Sequence, residues 1–206
     1  MKAFKLSLLF YSVFLMGCNS TTHKKNTATS NFNKVQIDTT RIINKDSLIL
    51  NGNTGVWTYN QTPFTGFAVQ FYANNSLKEK TGFFNGKKEG VYHVWFDNGE
   101  LKLESNYNQN SLEGSYKSWW INGVLASETN YVEGKKQGEE RHWFSTGKIS
   151  KIRNLLNNQE DGLQQAWLEN GKLYVNYEAK DGRIFGMRRA NSCYQLKDEV
   201  VIRKEI

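Results

Sequence analysis

The 206 residues include three histidines and two cysteines, the side chains most often used for acid–base, nucleophilic or metal chemistry. Their placement suits none of these. His23 lies in a polar N-terminal stretch, while His93 and His142 fall at opposite parities of the β pattern described below, on opposite faces and two repeats apart, so they share no metal. Cys193 has Arg188 and Arg189 close in sequence but no histidine to activate it, and reads as a small buried hydrophobe. Glu104 and Glu128 hold equivalent positions in neighbouring repeats. Paired carboxylates can cleave glycosides, but beside Lys80 and Lys117 they read as a solvated charge ladder. Zinc-ligand spacings, phosphate loops and a nucleophile elbow are absent. The sequence therefore predicts no enzyme, no cofactor and no metal. What remains is a set of tryptophans with basic neighbours: Trp95, Trp119, Trp143 and Trp167, with Lys102, Lys117 and Arg141. Aromatic columns stack on sugars or grip apolar partner residues, and nearby cations bind anions or ring faces.

Cys18 has a different role. Lys2 and Lys5 form a positive start, Leu6 to Met16 an apolar stretch, and Gly17 a small residue just before it, which is the layout of a secretion signal. Leu15-Met16-Gly17-Cys18 resembles the bacterial lipobox, cut before the cysteine once its sulfur carries a diacylglyceryl group. The resemblance implies a lipoprotein held on a bilayer through acylated Cys18, each buried methylene contributing about 0.8 kcal/mol. The polar residues that follow, from Asn19 onward, cannot bury enough surface to order themselves and read as a tether, with Lys24 and Lys25 able to rest on anionic head groups. Acylation of Cys18 leaves Cys193 without an intrachain partner, so stability must come from packing.

The elements that carry these residues follow from composition and spacing. Aromatics make up 14% of the chain, Gly occurs 17 times and Pro once, a vocabulary of strands and tight turns too aromatic for a disordered chain. No apolar run reaches the roughly 20 residues that span a bilayer, which excludes a polytopic membrane protein. The formal charge of +7 falls to +5 once Lys2 and Lys5 leave with the signal, a modest excess that favours an anionic neighbour; an exported chain with no basic run longer than two residues is not expected to bind nucleic acid.

Glycines recur at 66, 90, 114, 138, 162 and 186, every interval being 24. Five residues after each of the first five stand Phe71, Trp95, Trp119, Trp143 and Trp167, and then Tyr72, Phe96, Trp120, Phe144 and Leu168. Leu77, Leu101, Leu125, Ile149 and Leu173 form a further column, as do Phe83, Tyr107 and Tyr131. Within each copy two β-type runs flank Asn-Gly or Thr-Gly, as at Asn98-Gly99 and Asn122-Gly123, the strongest short-range hairpin signal. Each repeat is thus one hairpin, joined to the next by a second turn such as Asn85-Gly86-Lys87-Lys88. The predicted fold is all-β, an elongated antiparallel meander of about five hairpins.

Units of the form W-[FWY]-x-[NT]-G-x-[LI] followed by an aromatic and a glycine turn resemble the variant MORN repeats of the bacterial YwqK-like proteins, with Trp57, Tyr59 and Gln61 to Gly66 similar to the start of the first repeat. The resemblance covers about residues 46 to 200. It implies the repeat fold and, as an alternative function, an antitoxin that neutralises a cognate toxin by direct binding; the leader sets this chain apart from a cytoplasmic antitoxin.

A two-residue Asn-Gly turn sets the expected register. Phe96 then faces Leu101, Trp120 faces Leu125 and Phe144 faces Ile149 on an apolar face, where each repeat glycine is covered by the aromatic opposite it, Gly90 by Tyr107 and Gly114 by Tyr131. Crowding by Tyr131 would then exclude a branched residue at 114. On the other face Trp95 opposes Lys102, Trp119 opposes Ala126 and Trp143 opposes Ser150, with His93, Lys117 and Arg141 beside Glu104, Glu128 and Ile152. Trp120 is expected in the core and Trp119 on a mixed surface, although a curled sheet would cover the Trp column as well. The organisation expected is a signal peptide over 1–17, a flexible tether over 18–45, N-terminal cap strands over 46–65, five repeats over 66–185 and a C-terminal cap over 186–206. The function expected is a lipid-anchored scaffold of the bacterial cell envelope, placed at the outer membrane, that binds an envelope protein or a polysaccharide.

Overall fold

The computed structural model describes residues 35, 37–187, 194–197 and 200–203; Cys18, the leader, Cys193, Arg188 and Arg189 lie outside the described residues. Five antiparallel hairpins follow one another: Gly66–Phe71 with Leu77–Phe84, Lys87–Trp95 with Leu101–Asn108, Gly114–Trp119 with Leu125–Val132, Gly138–Trp143 with Ile149–Leu156, and Gln159–Trp167 with Leu173–Lys180. Each pairs with its neighbour in chain order, giving one 14-stranded sheet that ends on Arg183–Met187. At the opposite edge Ile42–Asn44 pairs in parallel with Gly66–Phe71, so three residues from the stretch expected to be tether belong to this sheet. Ile49–Asn51, Val56–Tyr59 and Thr62–Pro63 form a separate three-stranded sheet, and Tyr194–Lys197 pairs with Val200–Arg203. The fold is the all-β hairpin meander that the 24-residue period requires.

The two kinds of turn exchange the roles expected of them. The loop inside each repeat, which holds Asn-Gly in three of the five, is not a two-residue turn. Phe96 N–H donates to Glu100 O (2.8 Å) and Gly99 N–H to Phe96 O (3.0 Å), which encloses three residues, Asp97-Asn98-Gly99, with Gly99 at φ +87°. Asn98 keeps negative φ because its Oδ1 accepts the Glu100 N–H (3.1 Å), and the glycine alone takes the left-handed position. The two-residue turns, with positive φ at both positions, lie between hairpins: Asn85-Gly86 (48°, 77°), Gln109-Asn110 (49°, 73°) and Asn157-Asn158 (52°, 70°).

The odd loop moves the register by one residue next to it. Trp95 opposes Leu101, Trp119 opposes Leu125 and Trp143 opposes Ile149, not Lys102, Ala126 and Ser150, and Phe96, Trp120 and Phe144 leave the ladder for the loop. Lys102, Ala126 and Ser150 become the extra residues of a bulge, beyond which the expected pairs return: His93 with Glu104, Lys117 with Glu128, Gly90 with Tyr107, Gly114 with Tyr131. Trp120, expected in the core, is 42% exposed for this reason.

The repeat glycines are required by the backbone. Gly114 sits at φ +74° where the ladder between hairpins shifts, yet a Cβ there would meet nothing within 4 Å, so the crowding expected from Tyr131 does not exist. The densest packing lies where the small sheet covers the first hairpin: Phe64, Phe83 and Ala68 are fully buried with Leu48, and Trp57 and Tyr59 close over them. Phe83 meets Phe64 and Trp57 edge-on, each at 5.9 Å between ring centres.

Candidate functional sites on the two sheet faces

Trp95, Trp119, Trp143 and Trp167 stand at the same end of successive hairpins, each half-buried and each opposite an aliphatic partner, the last being Leu173. The three basic residues expected beside them are engaged. Lys117 Nζ lies 3.6 Å from Glu128 Oε1, Arg141 Nε contacts Glu139 on its own strand, and Lys102 is exposed on its bulge with Nζ 5.3 Å from the Phe96 ring centre. His93 contributes its Nε2 to Glu104 Oε2 at 2.9 Å and lies 5.4 Å from the Trp95 ring. This face is an aromatic and aliphatic row bordered by neutralised ion pairs. Ser115, Glu128, Asn130, Glu139 and Arg141 line a shallow cleft of about 280 Å³ on it.

The loops at that end are tied across repeats. Tyr72 Oη donates to Trp95 O (2.8 Å) and Trp120 Nε1 to Trp143 O (3.0 Å), while Asn74 and Asn122 Nδ2 donate to Asp97 O and Ser145 O. At the other end Asn110 brackets Lys88, accepting its N–H at Oδ1 (2.7 Å) and donating its own N–H to its carbonyl (3.0 Å). Asn158 does the same to Lys136. Side chains bonded to the neighbouring repeat therefore hold the spacing of the array.

The glycine face was expected to be apolar and is not. Thr81, Ser105, Thr129, Glu140 and Gln164 are among its buried residues. Glu140, 2% exposed, binds Lys136 Nζ through Oε1, and through Oε2 both Arg153 Nη1 (3.2 Å) and His142 Nε2 (3.3 Å). Arg153 continues to Glu160 Oε1 (3.1 Å), whose other oxygen accepts from Tyr177 Oη (2.7 Å). Burial pushes the Glu140 carboxyl upward, but the hydrogen bonds from His142 and Lys136 and the Lys136 charge outweigh it and bring it down to about 2. Nearer the N-terminus, Tyr92 and Tyr107 meet at 5.7 Å, and Tyr116 and Tyr131 repeat the pair one unit on at 5.8 Å. Desolvation pushes the Tyr92 phenol up to about 12, with the neighbouring Glu79, Tyr107 and Tyr116 adding to it.

Tyr107 and Tyr131 were expected on this face, but Tyr92, Tyr116, Lys88 and Lys136 were not singled out from sequence, although Tyr92 and Tyr116 stand two residues after Gly90 and Gly114, and Lys88 and Lys136 two before Gly90 and Gly138. Reading the columns nearest the Asn-Gly loops drew attention to tryptophan instead.

No curated protein matches the chain. The family described as MORN repeat variant matches residues 88–109 and 112–133. Those segments contain nearly all of the second hairpin and the whole of the third, so these two hairpins match the MORN repeat variant.

Proposed function

We propose that this repeat scaffold is a non-catalytic binding protein of the bacterial envelope, anchored to a membrane by acylated Cys18 and presenting its sheet to an envelope protein or polysaccharide. The observation that carries the reading is the recurrence of exposed large apolar side chains at one end of the hairpins, Phe71 at 51%, Trp120 at 42% and Leu168 at 43%, on or beside loops tied to one another by hydrogen bonds. Rigid, repeated apolar side chains of this kind suit recognition, where aromatic anchors supply contact area at small entropic cost. The anchor rests on Leu15-Met16-Gly17-Cys18 after its apolar stretch, and the outer membrane is the placement proposed. Nucleic acid has no part in this reading.

Labelling cells with a fatty acid tests the anchor. The wild-type chain incorporates label and sediments with membranes, whereas Cys18→Ala does neither; equal labelling of the variant removes the anchor from the proposal. Capture from membranes by the lipidated chain, compared with Trp120→Ala, tests whether the loop row carries binding.

A further inference from the structure

The glycine face holds binding capacity that its own groups leave unused. Lys45 Nζ is taken by Glu79 (2.6 Å), which also accepts from Thr81 (2.8 Å). Lys88 has no carboxylate within ion-pairing distance among the described residues; its ammonium rests 5.0 Å from the Tyr107 ring centre and 5.6 Å from that of Tyr92. Two lysines thus face one glutamate, and one positive charge is left over. Burial lowers the Lys88 pKa, the Lys45 charge adds to this and Glu79 offsets part of it, so an anion arriving here would relieve a cost already present. The phenols of Tyr92, Tyr107, Tyr116 and Tyr131 have no hydrogen-bond partner among the described residues. Tyr116 also lines a cleft of about 670 Å³ whose walls include Phe96, Trp120 and His142, a volume in the range of small-molecule sites.

We propose that Lys88, the Tyr92–Tyr107 pair and the Tyr116–Tyr131 pair form a groove for an acidic oligosaccharide, with Lys88 taking the carboxylate of a uronic acid unit and the tyrosines taking sugar rings and hydroxyls. The proposal names the ligand class within the polysaccharide reading above and rests on that reading. The balance of charge selects a sparsely charged ligand. Further along the same face Lys136 and Arg153 are matched by Glu140 and Glu160, so one anion is called for at the Lys88 end and no row of phosphates. The spacing selects a glycan over an acidic peptide. Two strands at roughly 4.8 Å each advance the array about 10 Å per repeat, close to the length of two pyranose rings, so alternate sugars of an extended chain would meet equivalent tyrosine pairs. Ring faces and hydroxyl donors are also what a sugar engages, whereas an extended peptide seeks a free strand edge, and the strands bearing these tyrosines are paired on both sides.

The test titrates the full chain in detergent with oligogalacturonate and oligoalginate, a neutral galactan oligomer and a polyglutamate peptide, read by calorimetry. A uronate oligomer binds, the neutral glycan binds at least about tenfold more weakly, and polyglutamate more weakly still. Lys88→Gln weakens the uronate about tenfold and leaves the neutral glycan unchanged, while Tyr92→Phe with Tyr116→Phe weakens both at an unchanged melting temperature. In the wild-type protein the Lys88 and tyrosine ring resonances shift on titration, which decides the matter if Lys88→Gln fails to fold. Uronate affinity indifferent to Lys88, polyglutamate binding as tight as uronate, unmoved tyrosine resonances, or binding to none of the four probes overturns the groove. Loss of fatty-acid labelling with intact glycan binding removes the anchor alone; labelling without glycan binding removes the groove alone.

Discussion

The indole N–H of Trp120 donates to the backbone carbonyl of Trp143, 3.0 Å away and one repeat further along the chain. Its neighbour Trp119 makes no such reach; it lies half-buried opposite Leu125. Two adjacent tryptophans therefore do different work, one tying loops together and the other covering the sheet.

This reverses the order of stabilities that a two-residue turn would imply. Trp119→Ala is expected to cost about 2–3 kcal/mol, below the full range for a buried Trp because the residue is only half-buried. Trp120→Ala should cost less, and Trp120→Phe, which keeps a ring and loses one hydrogen bond, about 1 kcal/mol. Urea midpoints of the three variants check the order; a larger loss at 120 than at 119 would place Trp120 in the core after all.

Glycine is required at two positions for opposite reasons. Gly114 has open space but φ +74°, whereas Gly82 has no positive φ and a Cβ there would run into the Glu89 carbonyl and the Ile37 side chain. Gly114→Ala should cost about 1–2 kcal/mol, and Gly114→Asn less, since asparagine tolerates the left-handed region. At Gly82 the same exchange brings no relief: alanine costs about 1–3 kcal/mol and asparagine more. Thermal melts of the four variants separate the causes, and equal losses for alanine and asparagine at 114 would count against the backbone explanation.

The hairpins, their order and the pairing of Gly90 with Tyr107 were legible in the sequence because a 24-residue period forces equivalent residues into equivalent places. The loop was not, because Asn-Gly serves two turn geometries. Asn85-Gly86 takes positive φ at both residues, while Asn98 spends its side chain on Glu100 N–H and leaves positive φ to Gly99 alone. Which geometry wins depends on a side-chain hydrogen bond that a two-letter signal does not encode. Trp95, Trp119, Trp143 and Trp167 could be placed on one face from parity, but not the partner of Arg141, since Glu139 two residues back reaches it along the same strand. The polar content of the glycine face was hidden for a related reason: Glu140 and Lys136 are ordinary surface residues until the pairing of Gly138–Trp143 with Ile149–Leu156 sets Arg153 beside Glu140, which also binds Lys136.

The turn asparagines allow conformation and bonding to be separated. Asn158 sits at φ 70° and its Oδ1 accepts Lys136 N–H at 2.7 Å. Asn158→Gly keeps the turn and loses that bond, at about 1 kcal/mol, whereas Asn158→Ala adds the left-handed penalty of about 1–2 kcal/mol. Asn110→Gly should lose more than Asn158→Gly, because Asn110 Nδ2 also donates to Gly55 O at 3.0 Å and so joins the second turn to the small N-terminal sheet. Denaturation midpoints give the ranking, and a smaller loss at 110 than at 158 would show that the Gly55 contact adds nothing.

Glu140 makes stability depend on acid in a defined window. Its folded pKa, about 2, lies below the 4.5 of an unperturbed glutamate, so the unfolded chain takes up the proton first as the pH falls. The stabilisation is complete above about pH 5 and is lost as the pH drops through the folded value; the shift sets its size at no more than about 3 kcal/mol. Glu140→Gln keeps the shape and removes the charge, leaving Lys136 and Arg153 facing a neutral amide. The variant should be less stable than the wild type at pH 7, by about 1–3 kcal/mol, and the gap should close between pH 4.5 and pH 2. Because other carboxylates titrate in both proteins, the difference between the two curves isolates this group. Urea titrations at pH 7, 4 and 2.5 measure it, and a gap that stays constant down to pH 2.5 would mean that the charge on Glu140 does not hold the Lys136–Arg153 network together.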